Sequence, residues 1–303
     1  MKLASLCLFV AICSAAHIQK RASTSDKATI GYATLNGGTS GGGTATPITV
    51  STLDELKSAV QGSTAKVVLL NGVISGSEIV DIGGNTSLLG KAGAALEGVG
   101  LRVNATNNVI IRNIKISNVL SSTGDAIRTI GASRVWIDHM DLSADMDHDK
   151  DYYGGLISIT QGSSGTSITN SYLHDHWKAV ASGLTTSDEN YQANVTLAYN
   201  RWQGLNSEAP RARWGNYHVL CSYYLSNNGG VVVGAGSNVF VDSNVFESTS
   251  PQVTVSGGTL YARGNSGYTP PGGTPITPAV IIDNLSCSVS YVKSMKTGAI
   301  MDF

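Results

Sequence analysis

The sequence predicts an all-β chain folded as a parallel β-helix, because one strand pattern repeats through the middle of the chain. Six short segments alternate apolar and polar residues and are separated by turns rich in Gly, Ser and Asn. Successive segments lie 26, 31, 29, 23 and 21 residues apart, as in a solenoid of stacked coils. Their central apolar positions are Ile111, Ile137, Ile168, Leu197, Leu220 and Val241.

Composition agrees with a chain of strands and turns. The 303 residues include 35 Gly and only 14% charged residues, which favours strands over helices. Coils stacked about 4.8 Å apart would bury the central positions in one column. Polar residues at a second set of equivalent positions would hydrogen-bond along the stack. These are Asn113, His139, Asn170, Tyr199, Ser222 and Ser243.

An antiparallel sandwich or barrel is the alternative fold, but its hairpins would favour shorter and more even spacing. The longer periods fall between residues 137 and 197. In a solenoid, extra residues form loops on one face, which is often the binding face.

The beginning of the chain has the features of an export signal. Lys2 precedes a short apolar run, Leu3 to Cys13, and Ser14-Ala15-Ala16 suits signal peptidase. We therefore predict a signal peptide at 1–16, a candidate pro-segment at 17–21 ending in a dibasic pair, and a single domain at 22–303. The apolar run is too short to span a bilayer, so we predict a secreted protein without a membrane partner.

One short segment has a helical period. Leu53, Leu56 and Val60 are three and four residues apart, and Ser51 or Thr52 is a candidate N-cap. We expect this short helix to cap the N-terminal end of the solenoid, with its apolar stripe in the core.

The net charge restricts the class of partner, and the cysteine content leaves two alternatives for the state of the cysteines. Without residues 1–21 the chain keeps 17 Lys and Arg against 21 Asp and Glu, a net charge of −4. This argues against a nucleic-acid partner, and a polyanionic ligand would need a local basic cluster. Cys221 and Cys287 remain after loss of the signal, either as a disulfide or as two buried thiols.

Five motifs occur in order along the chain. Together they resemble the fungal secreted pectate lyases of polysaccharide lyase family 1 over nearly the whole mature length. The motifs are Gly124-Asp125-Ala126-Ile127, Val135-Trp136-Ile137-Asp138-His139, the segment 147–153, His174-Asp175-His176-Trp177-Lys178 and the segment 206–215.

The resemblance implies a right-handed parallel β-helix and β-elimination on polygalacturonate, a pectic polysaccharide, by a monomer. In the family, Ca²⁺ held by enzyme carboxylates acidifies the C5 hydrogen of the substrate, and an arginine acts as the base. Lysine and a second arginine hold substrate carboxylates.

Residue by residue, the resemblance is incomplete. Asp125 matches the first Ca²⁺ ligand, Lys178 the substrate lysine and Arg213 the second arginine. Glu208 stands in place of the base arginine. Two further Asp ligands of the family correspond to Gly154 and Ser158. One carboxylate is a poor set for Ca²⁺, which takes six to eight oxygens.

Three functions follow from this pattern. The first is an active lyase with a rearranged site, in which Glu208 is the base, Arg213 is catalytic, and Lys178, Arg211 and Arg213 bind substrate. Strand alternation would place Glu208 and Arg211 on opposite faces unless a bulge intervenes. The second is an inactive pectin-binding paralogue.

The third is a Ca²⁺-independent pectin lyase, against which the loss of the base arginine counts. Asp125 and Glu208 are also candidates for a glycoside hydrolase pair, but only because they fall in one cleft. Asp residues between 145 and 151 are candidate oxygen donors for a metal. His139, which we place on the inward ladder, and His176 are expected to be structural.

Overall fold

A computed structural model describes residues 22–275 and 286–303 of the chain. The predicted signal peptide at 1–16 and the pro-segment at 17–21 lie outside the described residues. No helix in the described part of the chain is both long and apolar enough to cross a membrane.

Strands dominate the described residues, with two short α-helices, α1 (Leu53–Ala59) and α2 (Val289–Ser294), and two 3-10 turns at Tyr32–Thr34 and Thr186–Asn190. The strands are β1 (Pro47–Val50), β2 (Lys66–Leu70), β3 (Val73–Ser75), β4 (Ile79–Asp81), β5 (Thr86–Gly90), β6 (Ala95–Glu97), β7 (Gly100–Asn104), β8 (Asn107–Arg112), β9 (Lys115–Ser117), β10 (Ile127–Ile130), β11 (Ser133–Asp138), β12 (Asp141–Ser143), β13 (Ile157–Thr160), β14 (Ser164–Thr169), β15 (Tyr172–Lys178), β16 (Val180–Ser182), β17 (Ala193–Ala198), β18 (Arg201–Ser207), β19 (Arg211–Ala212), β20 (Gly215–Leu220), β21 (Tyr223–Leu225), β22 (Val231–Val233), β23 (Ser237–Asp242), β24 (Val245–Glu247), β25 (Val253–Val255) and β26 (Thr259–Arg263).

These strands form three parallel sheets, and each full coil adds one strand to each sheet. Sheet A has ten strands in the order β1-β2-β5-β8-β11-β14-β17-β20-β23-β26. Sheet B runs from β3 to β24 through β6, β9, β12, β15, β18 and β21, and sheet C from β4 to β25 through β7, β10, β13, β16, β19 and β22. The predicted parallel β-helix is confirmed, because neighbouring strands in each sheet belong to successive coils.

The central apolar column is confirmed with one correction. The fifth residue of the column is Val219, not Leu220, because Val219 is in register with Leu197 on one neighbouring strand and with Val241 on the other. Leu220 instead belongs to a second cluster with Ala198 and Phe240. Both Val219 and Leu220 are fully buried, so apolar spacing alone could not choose between them. The residues of the column are Ile111, Ile137, Ile168, Leu197, Val219 and Val241, all with no exposed surface.

From Ser171 onward the polar ladder lies one residue later than predicted, except at Ser222, which is on the ladder as predicted. The predicted positions Asn113 and His139 have no polar ladder residue beside them. The residue that directly follows each of these sheet A strands has a positive φ and turns the chain. His139 is one of these residues, with a φ of 51°, so it is not on an inward ladder. The ladder consists of Ser171, Asn200, Ser222 and Asn244, whereas the two preceding coils have Ile114 and Met140 at this position. Asn200 Oδ1 accepts from the Ser171 amide at 2.9 Å, and Asn244 Oδ1 accepts from the Ser222 amide at 2.9 Å. Each bond satisfies a buried backbone N–H at the turn.

The N-terminal helix forms as predicted. Thr52 Oγ1 accepts from the Glu55 amide at 3.3 Å, while Glu55 accepts from the Thr52 amide at 3.1 Å, which completes a capping box. Leu56 is fully buried in the main core, and Leu53 packs against it. The helix therefore contributes its apolar stripe to packing.

The C-terminal segment returns over the corner between sheets A and B. Cys221 and Cys287 form a disulfide, which decides between the two alternatives for these cysteines. Beyond α2, the Gly298 amide donates to Asn170 O at 2.9 Å, and the Met301 amide donates to Asn113 Oδ1 at 2.8 Å. The longest connections between sheets B and C are 118–126 and 144–156, and the two loops are joined by an isolated bridge between Leu120 and Tyr153.

Candidate active site

A cleft of about 300 Å³ lies where the chain passes from sheet B to sheet C. It contains four of the five predicted site residues, Asp125, Lys178, Glu208 and Arg211. Small residues form its floor. The lining consists of Asp125, Gly155, Ile157, Ser158, Lys178, Ala179, Ala181, Leu184, Glu208 and Arg211.

The register of sheet C explains the shape of this cleft. Arg128, Ser158, Ala181 and Arg211 occupy paired positions on successive strands. Neighbouring strands are about 4.8 Å apart, so the two small side chains leave a gap between two arginines. The sequence analysis missed Arg128. Its signal was present, because Arg128 stands three residues after Asp125 in an alternating strand.

Glu208 and Arg211 form an ion pair, with Arg211 Nη1 2.8 Å from Glu208 Oε1. Strand alternation would have placed them on opposite faces unless the strand were interrupted, and the strand is interrupted here. Strand β18 ends at Ser207 and β19 begins at Arg211, and Glu208 has a left-handed backbone with φ of 60°. A turn, in place of a continuous strand, therefore brings both side chains into the cleft. Their side chains are 16% and 24% exposed, so the pair is largely desolvated.

Asp125 faces Arg128 across the edge of the cleft. Its Oδ1 accepts from the Gly155 amide at 2.8 Å, and its Oδ2 lies 4.0 Å from Arg128 Nε. The Nε atoms of Arg128 and Arg211 are both buried without a hydrogen-bond partner among the described residues. Both guanidinium groups therefore hold one buried N–H that the described protein atoms leave unsatisfied, which is unusual for a buried donor.

Lys178 is held by the loop that precedes β13. Its Nζ lies 3.1 Å from Asp151 Oδ1, and the neighbouring Trp177 donates from Nε1 to His148 O at 2.8 Å. The His148 ring stacks on Tyr152 with centroids 3.9 Å apart. An aromatic loop thus covers one side of the cleft.

Asp145 of this loop is engaged within the loop. Asp145 accepts from His148 and from the Tyr153 hydroxyl, both at 2.8 Å, and these hydrogen bonds lower the pKa of Asp145 to about 2. Across residues 22–275 and 286–303, no group of three or more His, Cys, Asp or Glu side chains is arranged to hold a metal ion.

Arg213 lies apart from the cleft. It follows β19 on the turn toward sheet A, and its guanidinium lies over the Trp214 ring, 5.7 Å from the centroid. Its backbone carbonyl accepts from the Tyr217 hydroxyl. The structure therefore does not bring Arg213 together with Lys178, Glu208 and Arg211.

Neither candidate histidine lines the cleft. His139 Nδ1 is 2.7 Å from Asp138 Oδ2 at the turn after β11. His176 is buried, and its Nδ1 accepts from the Lys178 amide at 2.9 Å. Burial, reinforced by the charge of Lys178, lowers the pKa of His176 to about 4, so the ring is neutral near pH 7. These contacts agree with structural roles.

Comparison with known proteins identifies the family. A family model described as pectate lyase matches residues 5–267. The chain is 49% identical over 232 residues to a probable pectate lyase A of Aspergillus niger, covering 75% of this chain and 72% of that one. It is 46% identical over 235 residues to pectate lyase A of Emericella nidulans, covering 76% and 72%.

Solved structures share the fold. A pectate lyase from Bacillus sp. N165 in complex with trigalacturonate superposes with a TM-score of 0.78 at 23% identity, covering 89% of this chain and 98% of that one. The thermostable pectate lyase PL 47 gives a TM-score of 0.81 at 19% identity, covering 92% and 99%. By its sequence and its coiled architecture, this chain belongs to the pectate lyase family.

Proposed function

We propose that the cleft binds the carboxylated backbone of pectate and cleaves it by β-elimination, using side-chain cations where the family uses Ca²⁺. The Glu208–Arg211 ion pair carries this proposal, because it places a candidate base and a carboxylate-binding cation 2.8 Å apart in one cleft. The family assignment makes the chain a polysaccharide lyase.

The reaction assigns a task to each side chain. A base removes the hydrogen from C5 of a uronate, the released electron pair forms the C4=C5 double bond, and the bond from C4 to the glycosidic oxygen breaks. That oxygen then takes up a proton, from water in this proposal. Glu208 is the base, and Arg211 orients it and stabilises the negative charge that develops beside the uronate carboxylate.

Lys178 and Arg128 supply the remaining positive charge. Lys178 lies on the cleft wall, and its ion-pair partner among the described residues is an exposed loop carboxylate, Asp151, which a substrate carboxylate can replace. Arg128 occupies the position that pairs with Ser158 on the neighbouring strand, and its guanidinium is the second of these positive charges. Guanidinium and ammonium groups bind carboxylates through charge-assisted hydrogen bonds.

The side chains do not fit a Ca²⁺ site. Calcium takes six to eight oxygen ligands, several of them carboxylate. Asp125 is one carboxylate facing a guanidinium, Glu208 is bonded to Arg211, and Ser158 offers a single hydroxyl. Gly154 has no side chain, so we derive no step through calcium.

A pectate-binding protein without turnover is the second candidate. The observation in its favour is that each charge in the cleft has an internal partner: Glu208 with Arg211, Lys178 with Asp151, and Asp125 with Arg128. A pectin lyase acting on methyl esters is less favoured, since neutral esters give three cations little to bind.

The proposal extends to the location and state of the protein. We infer that it is exported and acts outside the cell as a monomer. The signal-like residues 1–16 and the disulfide between Cys221 and Cys287 support export, because disulfides persist in oxidising compartments.

The decisive experiment follows the ultraviolet absorbance of the unsaturated product on polygalacturonate and on methylated pectin, each with Ca²⁺ and with EDTA. The proposal expects product from polygalacturonate that survives EDTA and is lost in Glu208→Gln. Product abolished by EDTA would overturn the calcium-free site. Polymer binding in a native affinity gel without any product would establish the binding protein instead.

A further inference from the structure

A second groove, of about 560 Å³, lies on the outer face of sheet B under the C-terminal segment. It is lined chiefly by Tyr172, Arg201, Gln203 and Lys296. We propose that this groove is a separate binding site for a uronate residue of the polysaccharide. The identity of that sugar rests on the proposed function, whereas its carboxylate chemistry follows from the groove itself.

The strongest observation is the way Arg201 is held. Register places Arg201 between Tyr172 and Tyr223 on neighbouring coils. Its guanidinium carbon lies 5.5 Å from the centroid of each ring, and its Nε donates to Gln203 Oε1 at 2.9 Å. Two aromatic rings and one amide thus fix the guanidinium in place. Among the described residues, Arg201 forms no ion pair, so its charge is available.

The other charges of this face make the groove positive. Lys296 is exposed on the groove wall and has no ion-pair partner in the part of the chain that the structure describes. The nearby acids are engaged elsewhere: His174 contacts Asp141 at 3.1 Å and Asp175 at 2.7 Å. Glu247 accepts from the Tyr223 hydroxyl at 3.0 Å and pairs with a lysine of α2. None of the acidic residues that the structure describes lines the groove.

The ligand class follows from these groups. A fixed guanidinium binds a carboxylate with two parallel hydrogen bonds. Tyr172 and Lys178 stand at opposite ends of β15, about 20 Å apart at the rise of a strand. The groove is therefore distinct from the cleft. A polymer bound at both places would be retained between cleavage events.

The test measures binding of trigalacturonate to the full-length protein by calorimetry. The variants are Arg201→Gln and Lys296→Ala, and the matched control is Lys115→Ala, which removes an exposed charge from the same sheet outside the groove. A Lys178→Ala/Arg211→Ala background removes the cleft. We expect that background to keep one site, and Arg201→Gln to weaken this site by about tenfold or more.

Activity separates the two proposals. Arg201→Gln should leave the turnover of trigalacturonate unchanged and raise KM on long polygalacturonate. If the proposed reaction fails, binding in the cleft-disabled background still tests the groove. The groove proposal is overturned if that background binds no trigalacturonate, or if Arg201→Gln and Lys296→Ala bind it as tightly as Lys115→Ala. Unchanged thermal unfolding of each variant establishes that it is folded.

Discussion

Arg211 Nη1 lies 2.8 Å from Glu208 Oε1, although the two residues are three positions apart in what the sequence presents as one continuous strand. The left-handed backbone at Glu208 makes this contact possible, because it interrupts strand alternation at the corner between sheets B and C. As a result, the Glu208 carboxylate in the cleft is paired with the Arg211 guanidinium.

This pair gives the first prediction. Glu208→Gln should lower turnover on polygalacturonate by at least about 100-fold, because an amide cannot accept the C5 proton. Binding should hold or tighten, since Arg211 loses its internal partner. Initial rates over a range of substrate concentrations measure both effects. The control is Glu97→Gln, an exposed glutamate on sheet B. Equal rates for the two variants would remove Glu208 from the role of base.

Gly154 gives the second prediction. A Cβ at Gly154 would lie 1.7 Å from Gly124 O, so Gly154→Ala forces the backbone to move. We expect a loss of about 1–3 kcal/mol of unfolding free energy, the usual range for overpacking. Gly155→Ala is the control, because its nearest neighbour, Asp125 Oδ1, is 3.3 Å away. Urea unfolding compares them, and equal midpoints would contradict the packing argument.

The close contact between position 154 and the Gly124 carbonyl also affects whether a calcium site can be restored. Restoring carboxylates with Gly154→Asp and Ser158→Asp should not produce a Ca²⁺ site in a stable protein, because any side chain at position 154 would collide with the Gly124 carbonyl. Added Ca²⁺ should leave the Tm of the natural chain unchanged, since ligand binding would raise it. Glu208→Arg alone should not give calcium-dependent activity, because Gly154 and Ser158 supply no carboxylate. A Ca²⁺-dependent rise in Tm would contradict this view of the site.

The disulfide gives the third prediction. It closes a segment of 66 residues, and its reduction should cost about 2–4 kcal/mol of unfolding free energy. Reduction should also release α2 and the tail that contacts Asn170 and Asn113, so limited proteolysis should cut the C-terminal segment first. Cys287→Ser should reproduce both effects without reductant. Identical proteolysis of oxidised and reduced protein would show that other contacts hold the tail.

His176 gives the fourth prediction, for stability against pH. Burial lowers its pKa from 6.5 to about 4, so the unfolded chain binds this proton more readily than the folded chain. The stabilisation is complete above the unfolded pKa of 6.5 and is lost as pH falls toward 4. Its size is on the order of 3 kcal/mol.

Unfolding free energies between pH 7 and about 4 test this effect. In His176→Gln, the part of the pH dependence due to this ring should disappear, even if the variant is less stable at every pH. His139→Gln is the control, because it changes a histidine that is bonded to Asp138 at a turn. A pH profile of His176→Gln parallel to that of the natural chain would contradict the assignment.

The sequence by itself determined the coiled architecture and the capping helix. Alternation within strands and the cap at Thr52 are patterns of consecutive residues, and the spacing of Ile111, Ile137 and Ile168 is a repeat that can be read directly along the chain. The family motifs also predicted that Asp125, Lys178 and Glu208 share one site, but they placed Arg213 there as well. Local patterns failed where two adjacent residues were equally apolar, as at Val219 and Leu220.

Only the tertiary structure decided how the site is arranged. It placed Glu208 and Arg211 on one side, left Arg213 over Trp214, and set Gly154 against the carbonyl of Gly124. It also built a groove around Arg201 from rings on two other coils. The physical reason is that these contacts join neighbouring coils or depend on the dihedral angles of a turn, and neither is fixed by the order of nearby side chains.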